Sequence, residues 1–416
     1  MKILQVNKFF YPVGGSETYF FSLREALTKG GHKIIDFSMD NKKNLPSDYS
    51  DHFVSNVDYD FSNKISGKLK MAGRIIYSSE AKNKIRKLIE STKPDIVHLH
   101  NFYHQISPSI LSVFKEYNLP VVMTAHDYKI LCPNYQMFTQ GNICERCKKY
   151  RYYNAVKYKC IKNSWKASLI VAIEMYLHRW WLRSYRKNID LLITPSEFMR
   201  NKFIAWGWDK DKIVHLANFV NLEKLIHIKP GQSDSEYALY FGRLSHEKGV
   251  DNLIRAMSLT KSDVKLKIVG IGVCEEEYKK LSQRLGLENK IEFLGFKKGE
   301  ELYQTVANSR FTIMPSIVYE NNPLAVIESL ALGKSVIGAR IGGIPELVIH
   351  KKTGLNFRSQ DNNDLAQKLD YAWQNKSQMD RMGENGKNMV YDELIAKIHL
   401  KKITAIYRYL IEKYKK

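Results

Sequence analysis

Met1-Lys2-Ile3-Leu4-Gln5-Val6-Asn7 opens the chain, and Gly14-Gly15-Ser16-Glu17-Thr18 follows it closely. The first run reads as a short apolar β-strand. The second heads a helix over 16–29, because Tyr19, Phe20, Leu23 and Leu27 share one face and Gly30-Gly31 supplies a stop. Strand, glycine loop and helix together form the opening unit of a parallel α/β sheet. Glycine lets backbone approach an anion closely, and a helix N-terminus offers free N–H groups and a positive dipole end. Gly14 and Gly15 are therefore candidate phosphate contacts, with Ser16 as the expected N-cap, although a glycine pair here also serves as a simple tight turn.

The same alternation continues along the chain. Strand-like runs at 33–37, 96–99, 121–124 and 191–194 complete a first series, and the pattern restarts at 237–241, 265–269, 290–293, 310–314 and 335–338. A (β/α)8 barrel also alternates in this way, but phosphate-type loops in separate halves suit two doubly wound, Rossmann-like domains facing across a cleft. The length of 416 residues agrees with two cores rather than one. The reading assigns 1–217 to the first domain, 218–392 to the second and 393–416 to a final helix. The joint is expected within 218–236, a polar stretch containing Pro230-Gly231.

Apolar residues make up 44% of the chain, a globular value, and no run reaches the roughly 18 to 20 residues that span a bilayer. The N-terminus turns polar too soon for a signal peptide, so a cytoplasmic location with reduced cysteines is expected. The net charge of +22 calls for an acidic partner. No zinc-finger, basic-zipper or RNA-recognition motif is visible, which argues against nucleic acid and leaves phosphorylated small molecules or anionic lipid.

Phe241-Gly242-Arg243-Leu244-Ser245-His246-Glu247-Lys248-Gly249 follows a strand end. Arg243 and Lys248 are spaced so that a turn can aim a forked guanidinium and a compact ammonium at one diphosphate; the alternative is a solvated basic loop. Met314-Pro315-Ser316 closes a later strand, and Glu320-Asn321-Asn322-Pro323-Leu324-Ala325-Val326-Ile327-Glu328 leads into a helix expected to begin near Asn322 or Pro323. Glu320 then sits in the loop and Glu328 inside the helix. Carboxylates accept well from sugar or ribose hydroxyls, and amides near Pro323 can face a phosphate.

With Gly14-Gly15, Arg243, Lys248, the Glu-x7-Glu pair and the Gly-Gly-Ile-Pro turn at 342–345, the whole chain resembles the retaining GT-B glycosyltransferases of family 4. The resemblance implies that Glu320 contacts the donor sugar and Glu328 the ribose. Arg243 and Lys248 would neutralise the diphosphate, Gly15 would approach it from the opposite domain, and Asn322, Pro323 and Leu324 would complete the donor site. His126, in Thr124-Ala125-His126-Asp127, resembles the family histidine near the anomeric centre. The family needs no catalytic metal, since those cations replace one, and no Asp-x-Asp element stands out here in a metal-binding context. The last helix is expected to cross back to the first domain. The expected partners are a nucleotide-sugar donor and a saccharide acceptor, lipid-linked as for many relatives in surface-polysaccharide synthesis. A sugar-nucleotide epimerase of the same fold and a non-catalytic polyanion or lipid binder are the rival readings.

Two further segments stand out. Cys132, Cys144, Cys147 and Cys160 crowd into about 130–165, where they are either ordinary reduced cysteines or the ligands of a structural zinc; some family members carry a similar insert. Next, 163–188 sets Trp165, Leu169, Ile173, Tyr176 and Trp180 at helical spacing among lysines and arginines. That composition suits a helix on the anionic cytoplasmic face of a membrane, or one packed on the first domain. His98 and His100 alternate onto one strand face, and with His104 they read as packing or acceptor-site residues.

Overall fold

The computed structural model describes residues 1–56, 73–74, 76–182, 184–229, 231 and 237–415. Strands β1 (Lys2–Val6), β2 (Lys33–Phe37), β3 (Ile96–Leu99) and β4 (Val121–Thr124) are followed by a small antiparallel hairpin, β5 (Phe138–Thr139) and β6 (Asn142–Ile143), and then by β7 (Leu191–Thr194) and β8 (Ile213–His215). Apart from the hairpin they form one parallel sheet in the order β2-β1-β3-β4-β7-β8. A second parallel sheet comprises β9 (Ala238–Phe241), β10 (Leu266–Val269), β11 (Ile291–Gly295), β12 (Thr312–Met314), β13 (Val336–Ala339) and β14 (Gly354–Phe357), in the order β11-β10-β9-β12-β13-β14. Most of these strands are buried on both faces, which is why they read as short continuous apolar runs. The two sheets are the cores of two Rossmann-like domains.

Strand order reverses between β1 and β3 in the first sheet and between β9 and β12 in the second. In open α/β sheets the crevice at the carboxyl ends of strands at such a reversal is where ligands bind. That topology places the loops after β1, β3, β9 and β12 where the sequence motifs fall.

Helix α1 (Gly15–Lys29) buries Tyr19, Phe20, Leu23 and Leu27, as their spacing requires. Full burial of such a side chain stabilises by roughly 1.5–3 kcal/mol. Its N-cap position belongs to Gly14 and not to Ser16, whose hydroxyl instead donates to Glu17 Oε2 at 3.0 Å. The segment read as a single helix over 163–188 is broken: α2 (Trp165–Tyr176) gives way to a π-helical turn, Leu177–Trp181, and a short helix, Ser184–Asn188. The buried His178 in that turn is hydrogen-bonded to Ser184 Oγ at 2.9 Å, a local tie that helical spacing does not reveal.

Helix α3 (Leu324–Ala331) starts just after Pro323, which takes the N-cap position with extended ψ and so lies outside the first turn. The last helix, α4 (Ala396–Lys415), packs against α1. Its Ile403, Tyr407 and Leu410 share a core with Ile3, Tyr19 and Leu23, and Tyr407 Oη lies 2.7 Å from His98 Nδ1. Of the expected joint, Pro230 and 232–236 lie outside the described residues. Among the described residues no helix is long and apolar enough to cross a membrane.

Candidate active site

The loops at both reversals line one cleft of about 1970 Å³ between the domains. Ligand pockets usually run from roughly 300 to 1,000 Å³, so this one has room for two substrates. Gly14 and Gly15 reach it from the end of β1, and Arg243 and Lys248 reach it from the loop after β9. A Cβ placed on Gly14 would stand 3.0 Å from an Arg243 Nη atom, whereas one on Gly15 would meet nothing within 4 Å. The glycine pair thus lets the first domain's backbone approach the second domain's cation while leaving space at Gly15 for a ligand.

Across the reversal, the loop after β12 presents Glu320. Its Oε1 lies 2.6 Å from Lys248 Nζ and accepts from Ser316 Oγ, also at 2.6 Å. Burial alone would raise this carboxyl, but Lys248, the Ser316 hydrogen bond and Arg243 outweigh it and hold Glu320 below the ordinary carboxylate range. The loop is backed by Gly342-Gly343. The Gly343 amide donates to the Glu320 carbonyl at 2.7 Å, and a Cβ on Gly342 (φ +60) would fall 2.3 Å from that same oxygen. Only glycine fits so close an approach.

On the opposite wall His126 lines the cleft. Burial lowers its imidazole pKa to about 3, so the ring is neutral at neutral pH, and its Nε2 lies 3.0 Å from His100 Nδ1. The Asn321 amide, next to Glu320, donates to the His126 carbonyl at 2.6 Å and ties the two walls together. Three residues beyond His126, the buried Lys129 pairs with Glu174 of α2 at 2.6 Å. Burial would raise the Glu174 carboxyl, yet Lys129 and His104 bring it down to about 2.

Pro323 and Leu324 line the cleft, but Asn322 and Glu328 stand outside its lining. The Asn322 side chain is a structural tie: its Oδ1 accepts from the Asn218 amide at 2.9 Å and its carbonyl from Asn218 Nδ2 at 2.7 Å. Glu328 is half-buried, with Tyr303 Oη donating to it at 3.4 Å. His98 and His100 are fully buried packing residues.

Burial raises the Glu328 carboxyl from 4.5 to about 7, with Tyr303 opposing. Between those values the folded protein holds a proton that the unfolded chain has released, so stability falls as pH rises from 4.5 to 7 and stays lower above it. Glu328→Gln is expected to raise Tm relative to the parent at pH 8, with the difference closing as pH falls through 7 and gone below 4.5. Melting curves across this range check it; a pH-independent difference would contradict it.

Two Rossmann-like domains with a glycine loop on one wall of the cleft and a cation–carboxylate pair on the other define the GT-B class of glycosyltransferase. The chain belongs to Glycosyltransferase Family 4: that family's model matches residues 13–224, and the model for glycosyl transferases group 1 matches 223–389. It is 26% identical, over 83% of its length and 87% of the relative's, to an uncharacterised 42.6 kDa protein in the cps region of Klebsiella pneumoniae. It is also 27% identical to the amylovoran biosynthesis glycosyltransferase AmsK of Erwinia amylovora, over 41% of this chain and 44% of that one. In fold it is similar to Anabaena HepE, solved with UDP and glucose, with a TM-score of 0.68, 19% identity and coverage of 98% and 100%. The chain is a glycosyltransferase.

Asn321, Ser316 and the Lys129–Glu174 pair were not legible as site residues. Asn321 and the Lys129–Glu174 pair act through contacts far away in sequence, which no local spacing signals, and Ser316 acts through Glu320 four residues on, within an irregular loop that has no period to read.

Proposed function

We propose that this enzyme transfers a sugar, with retained anomeric configuration, from a nucleoside-diphosphate donor to a lipid-linked saccharide in surface-polysaccharide synthesis. The observation that carries the reading is the meeting of Arg243, Lys248 and Glu320 opposite Gly14-Gly15. Arg243 and Lys248 stabilise the charge that develops on the departing diphosphate, where a fixed cation is worth more than in water. Glu320 accepts from donor-sugar hydroxyls and positions the ring; it is not the nucleophile. The departing phosphate takes the acceptor's proton, and catalysis needs no divalent metal. Glu328 serves the ribose. The relative named for amylovoran biosynthesis supports the polysaccharide setting, and HepE supports a UDP-type donor.

The membrane-linked acceptor is favoured by α2. Trp165, Leu169 and Ile173 form an exposed apolar stripe, continued by Trp180, which is 60% exposed. The same helix sends Lys166, Ala167, Ile170 and Val171 into the cleft lining. A helix whose apolar residues sit in the interface of an anionic leaflet, on its cytoplasmic face, would open the cleft to a lipid headgroup.

The test supplies a panel of nucleotide sugars together with a lipid-extract acceptor and reads the new anomeric proton by NMR. Retained configuration in a lipid-borne product is expected; an inverted product, or transfer to water-soluble acceptors alone, would contradict the reading. Trp165→Glu with Trp180→Glu is expected to abolish co-sedimentation with phosphatidylglycerol vesicles while leaving the fold unchanged. Undiminished co-sedimentation of that variant would remove α2 as the docking element.

A further inference from the structure

We propose that His100 is a positioning residue that donates from Nδ1 to His126 Nε2, so that His126 presents an Nδ1–H donor to a substrate oxygen in the cleft. The observation behind it is a pair of imidazoles joined by one hydrogen bond, with one ring nitrogen stranded. His126 Nε2 lies 3.0 Å from His100 Nδ1, and the two rings are nearly parallel, at 19°. His100 is fully buried, and its Nε2 has no hydrogen-bond partner among the described residues.

Sheet register makes the pair. β3 and β4 run parallel with His98 beside Val122 and Leu99 beside Met123, so His100 and His126, just past the two strands, emerge at one end of the sheet. The other neighbours of His100 are apolar or committed elsewhere. Phe20 meets it edge to face at 5.2 Å, and the His98 ring lies 4.2 Å away. Both His98 nitrogens are engaged, Nδ1 with Tyr407 Oη at 2.7 Å and Nε2 with Thr124 Oγ1 at 2.8 Å. Tyr19 Oη is engaged as well. His399 Nδ1 lies 3.1 Å from the Ala217 carbonyl, which can only accept, so His399 carries its proton there and its Nε2 accepts from Tyr19 at 2.9 Å.

The proton count then decides the direction of the bond. Burial keeps both rings neutral, so each carries one N–H and one bare nitrogen. If His126 were the donor, His100 would hold its proton on Nε2 and bury an N–H with no partner. Buried N–H groups without a partner are rarer than unfilled acceptors. His100 therefore donates and His126 Nε2 accepts. The single proton of His126 then sits on Nδ1, the nitrogen left for the cleft that this residue lines.

A neutral N–H in that place hydrogen-bonds a substrate oxygen and has no lone pair there to take a proton. His126 thus works as a fixed dipole and not as a base. Its backbone is held from the opposite wall, where the Asn321 amide donates to its carbonyl at 2.6 Å. Ring and backbone are both set before a substrate arrives. His100 stands outside the cleft lining and acts only through His126.

The experiment is two-bond proton–nitrogen NMR of the histidine rings in the full chain at neutral pH, with His126 assigned by its loss in His126→Asn. The parent's His126 is expected to bear its proton on Nδ1. His100→Phe keeps an aromatic ring without a donor; it should give His126 mixed tautomers and lower kcat about ten-fold or more, with donor KM near the parent's. His100→Asn, whose amide donates from the place of Nδ1, should restore the single tautomer and most of kcat. Only the effect on kcat rests on the proposed sugar transfer. A parent that transfers no sugar would refute that reading, while the tautomer is read without turnover. A parent His126 protonated on Nε2 would overturn the proposal. So would a folded His100→Phe that keeps the parent's tautomer and kcat. If neither His100 variant folds, the parent's spectrum decides.

Discussion

Lys248→Ala is expected to lower kcat/KM for sugar transfer by roughly 10²- to 10³-fold, the usual effect of removing one preorganised charge-stabilising group. Lys248 stands 2.6 Å from Glu320 and only 27% exposed, so it is held in place before any donor arrives. Its loss removes a cation from the leaving diphosphate and also the strongest partner keeping Glu320 ionised, and so it acts on both ends of the bond being broken. Glu320→Gln should cost a similar factor, because an amide keeps the shape but loses the charge. Both residues face the cleft and not a hydrophobic core, and circular dichroism and Tm should stay close to the parent's. Steady-state kinetics with the cognate donor check this; near-parental turnover in either variant would remove the pair from the chemistry.

The largest stability effect is expected at Lys129. Both members of the Lys129–Glu174 pair are buried, with side chains 1% and 0% exposed. Removing one partner strands an uncompensated charge, which costs about 3–5 kcal/mol. Lys129→Met should therefore shift the urea midpoint strongly downward. Lys129→Met combined with Glu174→Leu should recover most of the loss, since a well-packed apolar pair of similar volume is often no less stable than the ion pair it replaces. A single variant that loses less than about 1 kcal/mol would show that Glu174 takes up its proton at little cost or finds other partners. The pair joins α2 to the turn carrying His126, so the doubly apolar variant also asks whether that turn stays ordered without charge.

The fold was legible because a doubly wound sheet writes itself locally: a strand buried on both faces reads as an apolar run, and α1 displays its core face at helical spacing. Strands β8 and β14 escaped, one because only Ile213 of its three residues is buried and so it shows no apolar run, the other because it begins with Gly354. The convergence of Arg243, Lys248 and Glu320 on one cleft was legible for a related reason. Arg243 and Lys248 lie in the loop after β9 and Glu320 in the loop after β12, so the strand order at the reversal brings all three to the same cleft. Asn322 misled because its neighbours line the cleft while its own side chain turns back to Asn218. The break in the 163–188 segment was hidden because a π-turn needs no glycine or proline to mark it.

The central claim is that this cleft holds a nucleoside diphosphate against Arg243 and Lys248. The most direct measurement is a thermal-shift panel of UDP, GDP, ADP, CMP and dTDP without added metal, on the parent and on Arg243→Ala. A ligand at about 100 times its Kd adds roughly 2.7 kcal/mol to the folded state, enough for a clear rise in Tm. The expected result is stabilisation of the parent by one nucleoside diphosphate, lost in Arg243→Ala. A folded parent that responds to none of them, or a shift that survives Arg243→Ala undiminished, would contradict the claim.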